Sequence, residues 1–179
     1  MPKSQRLFDV TGWLLKAAIV VSLMLMGLLC LGLGAIAFAV VAGGQLGIPA
    51  QVEGIAIAQL LAIGAWALVV AIFCIGLVAC MFMLASRVLE TAQSGDPFVI
   101  ENAKRLAQIG WLLLVVQLVG FIANLSLNAV IPEKLKDRVD IGIGFDLSPV
   151  GLLAILMIFV LAQIFRHGSE MRAELEGTV

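Results

Sequence analysis

The side chains best suited to chemistry are few: one histidine and three cysteines. Such residues act as metal ligands or as a thiolate–imidazole pair only where they converge. His167 has no Cys or His nearby at ligand spacing. Cys30, Cys74 and Cys80 each fall inside a long apolar run, where they read as small buried side chains. Ser148 and Ser169 have no base placed to activate them, and Gly142-Ile143-Gly144 reads as a turn or strand, too short to cradle a phosphate. No catalytic, metal or cofactor constellation is legible, so the expectation is a non-enzymatic protein. A second polar set is more informative. Gln117, Asn124 and Asn128 share one helical face with Gly110, Leu113 and Gly120 at ~100° per residue.

The elements that position these residues follow from the charge map. The chain has 179 residues, 62% hydrophobic and 13% charged, with a formal charge of -1. Soluble domains carry roughly 25% charged residues, and disordered chains are polar, so neither class fits. Eleven basic residues against 12 acidic ones argue against direct nucleic-acid binding. No charged residue or histidine occurs between Lys16 and Glu53, Glu53 and Arg87, Arg105 and Glu133, or Asp146 and Arg166. Each gap reaches the ~20 residues needed to cross a bilayer. We expect an all-α, integral membrane four-helix bundle in one domain over residues 1–179, with helices at about 13–42, 55–93, 105–130 and 149–166. From Ile55 to Arg87 the second would rise about 50 Å at ~1.5 Å per residue, against a core of ~30 Å. It must tilt, break or protrude, and Arg87, Glu90 and Gln93 look like a solvated stalk.

Orientation follows from Lys3, Arg6, Lys16, Arg87, Lys104, Arg105, Arg166 and Arg172, which lie on one side of the spans. The positive-inside rule puts that side, with both termini and the 87–104 stalk and turn, in the cytoplasm. Trp13 and Trp111 open the first and third spans at interfacial depth. The apolar stretch from Ala17 to Ala42 exceeds a signal core of 7–15 residues, so Ala37-Phe38-Ala39 reads as part of a retained span.

An internal echo suggests two helical hairpins. Arg6-Leu7 to Gly12-Trp13-Leu14-Leu15 and Arg105-Leu106 to Gly110-Trp111-Leu112-Leu113 match with one residue skipped. Duplication and the shared demands of inward-starting helices both account for the match. Two readings are likewise open for the intramembrane polar face. Gln59, Gln117, Asn124 and Asn128, with Ser22 nearby, form interhelical hydrogen bonds of about 0.6–2 kcal/mol each, or they line a polar cavity. Gly27, Gly32, Gly34, Gly64 and Gly76 are expected at close helix packing. Spans free of Asp, Glu, Lys, Arg and His argue against a pump or ion-coupled transporter.

The middle loop is sharply punctuated. Ser94-Gly95 should end the stalk with Gly95 in a left-handed cap; Asp96 should cap the next helix, with Pro97 at its first position and Phe98 turned back onto the stalk. The tail from Arg166 to Val179 should extend the last span as a charged helix. Across Gly95-Asp96-Pro97-Phe98, Glu101-Asn102, Arg105-Leu106 and Ile109-Gly110-Trp111, the chain resembles a bacterial four-span membrane family of unknown function, DUF2975. The tail, Leu161 to Gly168 and Met171 to Val179, carries the same resemblance. It implies no activity, cofactor or catalytic residue, and a bacterial inner-membrane location. Its members are often encoded beside a small Cro-like helix-turn-helix regulator, which makes a cytoplasmic transcription factor the implied partner.

The functional expectation is a membrane protein that binds a cytoplasmic partner and sequesters such a regulator. The candidate partner-binding residues are Arg87, Asp96, Pro97, Phe98, Asn102, Arg105, Arg166 and Arg172. The outer loop, about residues 131–148, holds seven charges and would sense an external signal. One alternative is a small-molecule binding or permeation bundle built on Gln59, Gln117, Asn124 and Asn128. Another is an accessory subunit of a larger membrane complex. A homodimer is also expected, since four spans bury little against lipid.

Overall fold

A computed structural model describes residues 3–42, 51–52, 55–94, 97–131 and 148–176. Over these residues the chain forms α1 (Lys3–Ala42), α2 (Ile57–Gln93), α3 (Ile100–Val130) and α4 (Pro149–Glu176). Ahead of α2, two-residue strands β1 (Gln51–Val52) and β2 (Ile55–Ala56) pair antiparallel, Gln51 opposite Ala56. All four helices are long and apolar enough to cross a membrane. Helices solve the bilayer problem because every backbone polar group inside a span is bonded within the span. The chain is therefore a multi-pass membrane protein.

Nothing in the sequence interrupts these helices. No proline lies within α1, α2 or α3, and Pro149 opens α4 at the first position, where its missing N–H is harmless. Ser148 precedes it as the cap. Its carbonyl accepts the Leu152 N–H at 3.0 Å, and its hydroxyl lies 3.5 Å from the Gly151 nitrogen. A serine considered as a nucleophile thus serves to start a helix. α2 runs unbroken for 37 residues, about 55 Å at ~1.5 Å per residue, so of the three ways to fit so long a helix a break is the one not taken. α4 likewise continues ten residues beyond Arg166, to Glu176.

The helices pack in chain order: α1 against α2, α2 against α3, and α3 against α4. The hairpins α1–α2 and α3–α4 meet through α2 and α3. There Val70 and Cys74 of α2 close on Ala123 of α3, flanked by Val119. α3 is the middle element, burying Val116, Gly120, Ala123 and Leu127 along the span and Asn102, Ala103 and Gly110 nearer its start.

Small residues matter at some helix contacts and not at others. Gly32 faces Leu68, Gly64 faces Ile36, and Gly110 lies beneath the Phe159 ring. Gly27, Gly34 and Gly76 face no neighbouring atom within 4 Å, contrary to the expectation that all five spanning glycines mark packing sites. The cysteines divide the same way. Cys74 is buried, while Cys30 and Cys80 are exposed, contrary to the expectation that all three are buried. Exposed apolar side chains such as Trp13 and Val41 on α1 are suited to lipid, which is the solvent here.

Candidate functional site

The α2–α3 turn is built around one asparagine. α2 ends at Gln93, and the Ser94 N–H still reaches the Glu90 carbonyl at 3.1 Å. α3 begins at Ile100, with Val99 extended at φ -92° and ψ 145°. Pro97 therefore lies outside the helix and not at its first position as the local rules predict. The proposed caps at Gly95 and Asp96 lie outside the described residues. Asn102 explains the late start, because its Nδ2 donates to the Pro97 carbonyl at 3.0 Å and ties the approach segment back.

Asn102 is fully buried, with 0% of its surface exposed. Its Oδ1 accepts from Thr91 Oγ1 at 2.8 Å and from an Arg105 Nη1 at 3.0 Å. The same Arg105 nitrogen lies 3.2 Å from the Arg87 carbonyl. Thr91 Oγ1 also lies 2.9 Å from Val88 O and 3.0 Å from Arg87 O, so its single proton has three acceptors in reach. A buried amide with every polar atom matched is the condition under which such a network stabilises a fold. Four candidate partner-binding residues are thus joined: Asn102 and Arg105 by their side chains, Arg87 and Pro97 by their carbonyls. This clasp shapes the surface, and the Arg87 side chain is exposed.

Phe98 extends the clasp to α4. Its ring packs on Phe165, with centroids 5.2 Å apart and planes at 41°. It also rests on Gly168, where an added Cβ would come within 2.8 Å of Phe98 Cδ1. Phe98 was expected to turn back onto the stalk; the contacts described for it lie on the tail, at the gap that Gly168 leaves. About two turns deeper along α4, Trp111 meets Phe159 edge to face at 5.5 Å. Turn and tail form one surface as a result. Phe98, Glu101, Ser169, Glu170 and Arg172 line a cleft of about 430 Å³ there. Arg166 pairs with Glu170 at 3.0 Å, and His167 Nδ1 lies 3.8 Å from the same carboxylate. All three side chains are well exposed, so these pairs contribute at most a few tenths of a kcal/mol. Ser169 donates to the Arg166 carbonyl at 2.7 Å, as intrahelical serines commonly do.

The polar residues of the spans are not drawn together. Asn128 Nδ2 donates to Asn124 O at 3.0 Å and to Asn124 Oδ1 at 2.8 Å, both on its own helix. Gln59 Nε2 reaches the Val130 carbonyl at 3.5 Å, linking the start of α2 to the end of α3. Ser22 donates to Ala18 O on its own helix. Gln117 turns towards α4, where a Cβ on Gly151 would collide with its amide nitrogen. Its Oε1 is buried without a hydrogen-bond partner.

Two residues central to the site escaped the sequence reading. Thr91 carries no local signal, because its role depends on an asparagine eleven residues away. Gly168 carries one: a glycine inside a helix costs about 1 kcal/mol against alanine, which hints at a close approach.

Comparison with known proteins gives one match. A family model described as a protein of unknown function, DUF2975, matches residues 45–179. No curated protein and no solved structure matches the chain.

Proposed function

The chain belongs to the DUF2975 family, and from that premise we propose that it is a non-enzymatic membrane protein binding a partner where the α2–α3 turn meets the α4 tail. The observation that carries this reading is the seating of Phe98 on Phe165 and Gly168. Two segments that are solvated ends in the sequence become one surface with a fixed shape. Glu101, Glu170, Arg166 and Arg172 present both charge signs around it. Mixed charges beside an aromatic step suit recognition of a folded protein.

The basic residues at this end favour a cytoplasmic position in a bacterial inner membrane. A small helix-turn-helix regulator, the partner implied by resemblance, would be held at the bilayer and kept from the chromosome. The Asn102 clasp would act as a positioning device, fixing Phe98 without touching the partner.

The test is binding of a helix-turn-helix protein encoded beside the gene to the full-length chain in detergent. We expect Phe98→Ala and Gly168→Val each to weaken binding at least tenfold while the protein stays monodisperse. Binding that survives both substitutions would show that the surface is wrong. No binding by the unsubstituted chain would remove the regulator as the partner.

A further inference from the structure

A cleft of about 480 Å³ opens between α2 and α3, one to three turns inward from the clasp. Cys80, Leu84 and Arg87 line it from α2, and Gln108, Trp111 and Leu112 from α3. Its chemistry is graded. Arg87 and Gln108 stand at the end nearer the turn, while Cys80 and Leu112 form an apolar floor. Cys80 and Arg87 are two turns apart on one helix face, about 10 Å at ~1.5 Å per residue. Among the described residues, the Arg87 guanidinium meets no acceptor, whereas Arg166 is already paired with Glu170. Arg105 adds a second cation beside it, bonded to the Arg87 carbonyl. Trp111, 60% exposed, forms one wall at the depth where tryptophan marks the bilayer interface.

We propose that this cleft seats one anionic phospholipid, with its phosphate on Arg87 and Gln108 and the first part of an acyl chain along Leu84, Cys80 and Leu112. The assignment rests on complementarity at both ends. An uncompensated guanidinium recognises a phosphate through paired N–H donors, and a neutral apolar floor accepts methylenes. Basic pockets between spanning helices are suited to anionic headgroups. The cleft between α3 and α4 that holds Lys104 and Arg166 is a poorer fit, because Glu170 lines it too.

The experiment uses the full chain in phosphatidylcholine vesicles, with Trp13 and Trp66 replaced by Phe so that Trp111 alone reports. Acyl-brominated phosphatidylglycerol at low mole fraction should quench Trp111 with about a fivefold preference over brominated phosphatidylcholine, the factor that one basic residue supplies at an anionic surface. Arg87→Gln should abolish that preference, and Lys104→Gln should leave it intact. Equal quenching by the two lipids, or a preference that survives Arg87→Gln, would overturn the proposal. Displacement of the lipid by millimolar inorganic phosphate would overturn it as well, by making the site one for a soluble anion. Native mass spectrometry of the unsubstituted chain gives an independent reading. A retained phosphatidylglycerol adduct that Arg87→Gln loses is expected, and equal retention of phosphatidylcholine would count against it.

Discussion

The two polar regions of this protein are chemically similar and structurally opposite. Around the α2–α3 turn, Asn102 bonds to Thr91, Pro97 and Arg105 and so links the end of one helix, the turn and the start of the next. Along the α3 span, among the described residues, the Asn128 amide nitrogen bonds to Asn124 on the same helix, and Gln117 leaves its oxygen unmatched. An amide that joins separate elements specifies how they sit. An amide satisfied within its own helix specifies almost nothing about its neighbours. Residue type alone does not separate the two; burial and reach do, since Asn102 is fully buried and bonds to Thr91 eleven residues away, whereas Asn128 is exposed and bonds four residues away.

The comparison breaks most visibly at Asn102. Asn102→Leu removes three interactions from a fully buried position and leaves Arg105 and Thr91 only their backbone acceptors, so we expect a loss of about 3 kcal/mol in reversible detergent unfolding. A loss below 1 kcal/mol would mean that the clasp is incidental. Next in size is Gly151→Ala, whose Cβ must displace the Gln117 amide. Overpacking of this kind costs about 1–3 kcal/mol. Much of it should vanish in a Gln117→Ala background, giving a measurable coupling in a double-mutant cycle. Additivity there would show that Gln117 does not occupy the Gly151 gap. The smallest effect belongs to Asn128→Leu, expected to lie within about 0.5 kcal/mol of the unsubstituted protein. If it rivals Asn102→Leu, the distinction between joining and local amides fails for this molecule.

The same distinction marks what was readable from residues alone. Four spans were legible because charge is expensive in hydrocarbon, so Lys16, Glu53, Arg87, Arg105, Glu133, Asp146 and Arg166 bracket the apolar runs. The α2 end was legible too, since Ser94 stops it near where Ser-Gly predicts. The start of α3 was not. Pro97 satisfied every local rule for a first helical position, and a side chain five residues later overrode it. The seat of Phe98 on α4 was not legible, because the gap at Gly168 exists only once α4 has packed on α3. The single spanning face of Gln117, Asn124 and Asn128 rests on helical angle, which is silent on partners. Periodicity fixes direction along one helix and says nothing of what the next helix presents.

Packing in chain order has a consequence for how the protein is made. From α2 onward, each helix packs on the one synthesised just before it, so no pairing waits for a distant part of the chain. Topologies dominated by near-neighbour contacts form quickly, because little loop entropy is lost before contacts are gained. The array can therefore grow helix by helix at the site of insertion, with α3 completing the α2 surface and in turn offering one to α4. On this order the Phe98 seat on Gly168 closes last. A nascent chain arrested after α3 would hold a finished clasp and an unfinished docking surface.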